Sequence, residues 1–136
     1  MTSILIVDDS PTIRRMVRAS LAGLPGLTFR EAKTGLEAIE SLVVSPADLI
    51  VLDLNMPDMH GIDVLKLVRS QSALANLPVV VLTTRGDDSS RRAATAAGAT
   101  LYLTKPFSPS ELARDVGSLL GLAAPGTRAA SSGEPA

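Results

Sequence analysis

Along residues 3–120, short apolar runs alternate with longer stretches in which apolar residues recur every three or four positions. Five of the short runs have the length of β-strands, and three of them are continuous, which is typical of strands covered on both faces. The predicted strands are 3–8, 27–32, 48–53, 78–83 and 100–104.

A helix is predicted after every strand. The first begins at the cap and first-turn pair Ser10-Pro11, carries apolar residues from Ile13 to Leu24 on one face, and ends at the sequence GLPG. The others are predicted over 35–44, 61–70, 88–97 and 109–120. This repeated alternation indicates an α/β domain with a parallel sheet, right-handed crossovers and helices on both faces. Periodicity alone does not fix the strand order.

Length and composition allow one such domain. A chain of 136 residues, of which 46% are hydrophobic, can bury a single core, which we assign to 1–120. Residues 121–136 are rich in Ala, Gly, Ser and Pro and are predicted to be a flexible tail or a linker stub. The net charge of -1 and the lack of a Lys/Arg-rich run argue against a nucleic-acid partner.

The residue inventory excludes several kinds of site. A chain without Cys forms no disulfide and no Cys-based zinc site, and His60 is the only His available for metal binding or Ser-His catalysis. Neither a P-loop nor a GxGxxG nucleotide motif is present. Because no segment has the length of a membrane span or the pattern of a signal peptide, we expect a soluble cytoplasmic domain with no membrane partner.

Polar residues collect at the carboxyl ends of four predicted strands. In an open α/β sheet the ligand crevice lies outside these ends, where the strand order reverses. Each feature taken alone has an ordinary explanation as a turn or a helix cap. Their joint occurrence at four strand ends is not readily accidental. The residues are Asp8 and Asp9, Asp53 and Asn55, Thr83 and Thr84, and Lys105-Pro106.

The three carboxylates among them predict a magnesium site. Carboxylates that lie close together repel, so one must take up a proton or the group must bind a cation. Mg²⁺ prefers oxygen ligands, usually one or two carboxylates with carbonyls, water and phosphate. We expect Asp8, Asp9 and Asp53 to hold Mg²⁺ together with the backbone carbonyl of Asn55.

The same set predicts phosphoryl chemistry. A metal so placed would neutralise an incoming phosphoryl group and leave the Asp53 carboxylate free to attack it, forming an aspartyl phosphate. Lys105 would place a positive charge against one phosphoryl oxygen, and the Thr83 hydroxyl would donate to another.

The segments that carry these residues resemble the receiver domain of bacterial two-component response regulators, and within it the small CheY-like chemotaxis type. They are ILIVDDSPTIRRMV, LIVLDLNMPDMHGIDVL, VVVLTT and LYLTKPF, and the likeness spans about residues 3–120. It implies a flavodoxin-like (βα)₅ fold with the doubly wound strand order 2-1-3-4-5. It also implies Asp53 as phosphoacceptor, Asp8 and Asp9 as the acidic Mg²⁺ pair, Thr83 as switch hydroxyl, Lys105 as phosphate-facing lysine, and a cis Lys105–Pro106 bond.

The resemblance also implies how the signal leaves the site. Tyr102, the only Tyr, stands where similar proteins have a switch aromatic that moves inward when the threonine turns. The alternative is a half-buried strand residue with its hydroxyl in water. The implied output surface is the fourth helix, fifth strand and fifth helix. The implied partners are a CheA-like histidine kinase as phosphodonor and a downstream protein target. We expect the chain to be a monomer, and to be a signalling protein rather than an enzyme.

Three positions depart from the family pattern. Thr84 stands where a smaller residue is usual and would crowd the site, which predicts slow self-dephosphorylation. Arg85 occupies a position that varies among similar proteins and that affects hydrolysis. Asp87-Asp88 replaces basic residues found early in helix four of regulators that bind the flagellar switch, which disfavours a flagellar-motor partner.

Other functions are left open by the residues. A phosphohydrolase with an Asp nucleophile would need a second acid two positions later, where this chain has Asn55. A receiver cut from a hybrid kinase or larger effector would have 121–136 as its severed linker, although Met1 favours a natural start. A phosphate-sink regulator is a further alternative. The sequence identifies neither the cognate kinase nor the pathway.

Overall fold

Five parallel strands form one sheet in the order β2-β1-β3-β4-β5. The computed structural model describes residues 2–56, 60–84 and 86–122. This is the flavodoxin-like strand order, as the resemblance implied, and the five predicted strands are confirmed to within two residues at either end. The strands are β1 (Thr2–Val7), β2 (Leu27–Ala32), β3 (Leu49–Asp53), β4 (Val79–Thr83) and β5 (Leu101–Thr104).

Each strand is followed by a helix that starts at a side-chain cap. Ser10, Thr34, His60, Asp87 and Ser108 each accept a hydrogen bond from a backbone N–H of the first turn, which satisfies a donor that the helix leaves unpaired. The helices are α1 (Pro11–Leu21), α2 (Gly35–Val44), α3 (Gly61–Ser70), α4 (Asp88–Ala97) and α5 (Pro109–Leu120).

Two details of the helices differ from the prediction. The first helix ends at Leu21 rather than Leu24, because the chain turns there and the N–H of Leu24 donates to the carbonyl of Leu21. Leu24 is nevertheless buried, so its apolar character reflects packing outside the helix. A short 3-10 helix at Ser72–Leu74 was not predicted, since three residues carry no readable period.

The sheet separates two apolar layers. Every residue of β3 and of β4 is buried, as expected for strands covered on both faces. Successive side chains of a strand point to opposite faces, so Leu5 and Val7 join the layer under α2, α3 and α4, whereas Ile4 and Ile6 join the layer under α1 and α5. The core therefore fixes the strands firmly and leaves their carboxyl ends to carry polar residues.

The strand order reverses at β1 and β3. The crossover after β1 leads to β2 on one side, and the chain then passes β1 to form β3 on its other side. The loops after β1 and β3 therefore separate and open a crevice at that edge. Of the predicted tail, residues 123–136 lie outside the described residues. No helix in the described part of the chain is long and apolar enough to cross a membrane.

Candidate functional site

Asp53 is the last residue of β3 and is 2% exposed. Its carboxylate oxygen Oδ1 accepts the backbone N–H of Asn55 at 3.0 Å and lies 3.3 Å from the ammonium of Lys105. Both contacts use Oδ1, so Oδ2 is the oxygen that they leave for a ligand. A buried strand ends in a charge here because the fold supplies that charge with a cation and an N–H donor.

Lys105 reaches the site from the loop after β5. Its Nζ donates to Asp8 Oδ2 at 2.8 Å, while its backbone N–H donates to the Thr83 carbonyl at 2.7 Å. The Lys105–Pro106 peptide bond is cis, as the resemblance implied. Burial alone would lower the pKa of Lys105, but the hydrogen bond to Asp8 and the charges of Asp53 and Asp8 outweigh it, so the pKa is raised. The two neighbouring carboxylates therefore favour the charged form of this lysine.

Asp8 and Asp9 follow β1. Asp8 is 2% exposed, its Oδ1 accepts the backbone N–H of Ser10 at 2.9 Å, and its backbone carbonyl accepts Arg14 Nη1 at 2.6 Å. Asp9 is exposed, yet one carboxylate oxygen from each of Asp8, Asp9 and Asp53 lies within 4.8 Å of the others. The structure thus brings together the three acids that the strand-end pattern singled out.

Burial is the main cause that raises the pKa of Asp53, and the neighbouring negative charge of Asp8 adds to it. The N–H of Asn55 and the ammonium of Lys105 act in the opposite direction without cancelling the rise. The site therefore holds more negative charge than its lysine balances, because three carboxylates face one ammonium. A divalent cation would relieve this excess.

The donor set fits Mg²⁺. Its carboxylates supply only oxygen, two of them are buried and held by hydrogen bonds, and the exposed Asp9 leaves one side open to water. Asp8, Asp9 and Asp53 would hold the ion. The part of the Asn55 backbone carbonyl in that set stays a prediction.

The side chain of Asn55 has a contact that the sequence did not suggest. Its Nδ2 donates to Thr83 Oγ1 and to Thr84 Oγ1, both at 3.2 Å. This amide therefore bridges the end of β3 to both hydroxyls at the end of β4. Thr83 is fully buried, whereas Thr84 is exposed. Arg85, singled out as a variable position, lies outside the described residues.

Thr83 also borders a cavity between the loop after β3 and the start of α4. The cavity has a volume of about 320 Å³ and is lined by residues that include Asn55, His60, Ser90 and Ala93. The Nδ1 of His60 accepts the backbone N–H of Ile62 and caps α3, so that nitrogen is already in use. The single histidine therefore has a structural role that explains its position.

Tyr102 is buried on β5, with 7% of its surface exposed, rather than half-buried. The guanidinium carbon of Arg91 on α4 lies 4.7 Å from the centre of its ring, within the range of a cation–π interaction. The sequence does not predict this pair, because the contact depends on how α4 lies against β5. The part of Tyr102 as a switch stays a prediction.

A model of the response regulator receiver domain family matches residues 4–116. The chemotaxis protein CheY1 of Helicobacter pylori is 37% identical over 119 residues, which cover 87% of this chain and 96% of CheY1. The KDP operon transcriptional regulatory protein KdpE of Escherichia coli is 42% identical over 112 residues, which cover 82% of this chain but 48% of KdpE.

Solved structures agree with this similarity. A putative response regulator from Chloroflexus aurantiacus superposes with a TM-score of 0.82 at 36% identity, covering 88% of this chain and 98% of the other. The chemotaxis protein CheY4 of Vibrio cholerae superposes with a TM-score of 0.80 at 36% identity, with the same coverage of 88% and 98%.

Proposed function

This chain belongs to the response regulator receiver domain family, and from that premise we propose that it is a phospho-accepting switch of a two-component or chemosensory phosphorelay. It takes a phosphoryl group from a CheA-like histidine kinase onto Asp53 in the presence of Mg²⁺. It acts as a signalling protein in the cytoplasm and catalyses only its own phosphoryl transfer and dephosphorylation.

The observation that carries the proposal is the buried Asp53 carboxylate, held by Lys105 beside Asp8 and Asp9. Mg²⁺, when bound by these acids, supplies charge neutralisation that lets an anionic phosphoryl group approach three carboxylates. Neutralisation of the same charge also favours the ionised form of Asp53, which is the nucleophilic one.

In the transfer step, a carboxylate oxygen of Asp53 forms a bond to phosphorus while the bond from phosphorus to the donor's imidazole nitrogen breaks. The electron pair of that bond leaves with the imidazole. Oδ2 of Asp53 is suited to the attack because Oδ1 already contacts Asn55 and Lys105. Lys105 then donates to a phosphoryl oxygen, and positioning with electrostatic stabilisation rather than further covalent chemistry lowers the barrier.

The output would begin at Thr83, whose hydroxyl accepts the Asn55 amide. A phosphoryl group adds roughly -1.5 to -2 of charge and strong acceptors, so the Thr83 hydroxyl would turn to donate to it and leave the amide. Tyr102 would follow, and the surface of α4, β5 and α5 would bind a protein target. The net charge of -1 does not favour nucleic acid as that target.

A receiver that is one part of a larger regulator is the second candidate. The similarity to KdpE favours this candidate, because the segment aligned with this chain makes up only 48% of the length of KdpE. The site chemistry would be the same, and only the target of the output surface would differ.

Intact mass spectrometry after incubation with acetyl phosphate tests the proposal. The native chain is expected to gain one phosphoryl group with Mg²⁺ and none when EDTA removes it. Asp53→Asn should gain none, whereas the matched control Asp63→Asn, an exposed acid of α3, should behave like the native chain. An adduct on Asp53→Asn, or one that forms equally without Mg²⁺, would refute it.

A further inference from the structure

The contact between Arg91 and Tyr102 joins the helix and the strand of the proposed output surface. Arg91 lies on α4 and Tyr102 on β5, and the guanidinium is 4.7 Å from the ring centre. Tyr102 is buried in the layer under α2, α3 and α4, while Arg91 itself is exposed. The ring is therefore covered on its outer side by a side chain that is otherwise in solvent.

Little else on α4 can cover this ring. Ala94 is the buried residue of the helix, so α4 packs on the sheet without a large apolar side chain of its own. A long arginine side chain can cover an aromatic ring with its methylene groups and guanidinium while its charge stays hydrated. Arg91 thus supplies the contact that an apolar residue would supply in a better-packed helix.

The far end of α4 is held by a different arginine. Arg69 on α3 donates from Nε and Nη2 to the carbonyl of Gly98, at 3.0 and 2.8 Å, and from Nη1 to the carbonyl of Leu77 at 2.6 Å. Gly98 ends α4 in a left-handed conformation with φ of 109°. The carboxyl end of the helix is therefore anchored, and Arg91 lies in its first half, away from that anchor.

We propose that Arg91 is a positioning residue for the switch: it holds Tyr102 in the buried conformation before any phosphoryl group is present. This inference rests on the proposed function, because only in a receiver does the position of the ring carry a signal. As a consequence, a fraction of the unphosphorylated molecules already has the Tyr102 ring turned inward. Phosphorylation of Asp53 would increase this fraction rather than create it. A cation–π contact at an exposed site would favour the buried ring by roughly 2- to 5-fold.

The chain contains one Tyr and no Trp, so Tyr102 can be observed without interference. Replacement of tyrosine by 3-fluorotyrosine gives one fluorine resonance, and its shift between H₂O and D₂O reports solvent exposure of the ring. Acrylamide quenching of the intrinsic tyrosine fluorescence gives an independent measure on the unlabelled chain. Both are recorded without a phosphodonor.

Three variants test the proposal. Arg91→Gln keeps a polar side chain and removes the charge, and we expect it to raise the exposed-to-buried ratio of the ring by roughly 2- to 5-fold. Arg91→Lys keeps a cation and should restore most of the burial. Arg92→Gln removes the adjacent exposed arginine and should leave the ring as in the native chain.

Equal exposure of Tyr102 in Arg91→Gln and the native chain would overturn the proposal. So would equal increases in Arg91→Gln and Arg92→Gln, since that result indicates general loosening of α4. The phosphoryl adduct is measured separately by intact mass on each variant. If the Arg91 variant forms a normal adduct and the exposure of Tyr102 is unchanged, the role of Arg91 alone is contradicted. If the exposure of Tyr102 changes in the variant but the native chain forms no adduct, the proposed function alone is contradicted.

Discussion

Asp53 carries a charge at the end of a strand whose other residues are all apolar and buried. A carboxylate in such a place destabilises the fold unless something compensates it. Lys105 and the N–H of Asn55 compensate it in part, and the raised pKa of Asp53 shows that the compensation is incomplete. A bound cation would reduce the electrostatic cost that remains.

This cost predicts a pH-dependent gain of stability in Asp53→Asn. Because the pKa of Asp53 is raised by burial, the folded state binds its proton more readily than the unfolded state does. Its ionisation therefore lowers stability as pH rises from the unfolded pKa of about 3.9 through the folded pKa. The variant should exceed the native chain in unfolding free energy at neutral pH, and this difference should vanish at about pH 3, below the unfolded pKa.

Urea unfolding in EDTA at both pH values measures this difference. Asp63→Asn is the matched control, because Asp63 is exposed and its replacement removes no buried charge. A variant at position 53 that is less stable than the native chain at neutral pH would show that the pair with Lys105 outweighs the burial of the carboxylate.

Thr84 is expected to slow the loss of the phosphoryl group. It is exposed, and Asn55 donates to its hydroxyl at 3.2 Å, so we expect its methyl and hydroxyl groups to hinder a water that attacks the phosphoryl group. Thr84→Ala should therefore dephosphorylate several-fold faster than the native chain. The decay of the phosphorylated mass after removal of acetyl phosphate measures the rate, and an unchanged or slower decay contradicts the expectation.

The residues of the site were predictable to different degrees. Asp8, Asp53 and Lys105 could be found because parallel strands bring their carboxyl ends to one edge, whatever the details of the loops. The amide bridge of Asn55 to two threonines could not, because it depends on the conformation of the loop after β3. Arg91 was missed for a related reason: its contact with Tyr102 depends on how α4 lies across β5.

At the scale of elements, α3 begins directly against the strand that presents Asp53. Gly61 is its first residue, and a Cβ there would lie 2.5 Å from Leu54 Cα and 2.7 Å from the Asp53 carbonyl. Neither backbone atom can move without moving the end of β3. The absence of a side chain at this position thus lets the helix approach the site closely.

Gly61→Ala is accordingly expected to destabilise the fold by about 1–3 kcal/mol, the usual cost of overpacking. Gly117→Ala is the matched control inside α5, where a Cβ would meet Leu24 Cδ2 at 3.4 Å. That change should be neutral or stabilise by about 0.5–1 kcal/mol, because alanine favours a helix interior. Urea unfolding of both variants gives the comparison, and effects of the same sign and size would contradict it.

The elements themselves followed closely from the sequence. Continuous apolar runs and cap residues gave all five strands and helices, because burial on both faces and capping leave patterns that are read locally. The spacing of Leu24 from Leu21 is that of two residues on one helix face, so the pattern extends the first helix to Leu24. The turn after Leu21, which ends the helix earlier, is not visible in the pattern. The strand order came from resemblance, since periodicity says nothing about which strands are neighbours.

At the scale of the molecule, the site exists only when the sheet is complete. Asp8 and Lys105 are 97 positions apart in the chain, and their hydrogen bond of 2.8 Å forms only once β1, β3, β4 and β5 are in order. The apolar layers on the two faces position the site without contributing a polar group to it. If the proposed function is correct, we expect the surface to change mainly through α4, where Ala94 alone of the described residues is buried.

Chemical localisation of the phosphoryl group tests the central claim, that Asp53 is the acceptor, most directly. A substitution can abolish an adduct indirectly, whereas borohydride reduction converts the modified aspartate of the native chain to homoserine at its own position. Digestion with trypsin should release residues 34–66 in one peptide, because Lys33 and Lys66 bound a stretch without Lys or Arg. Tandem mass spectrometry is predicted to find homoserine at position 53, and homoserine at Asp8, Asp9 or any other acid would contradict the assignment of the site.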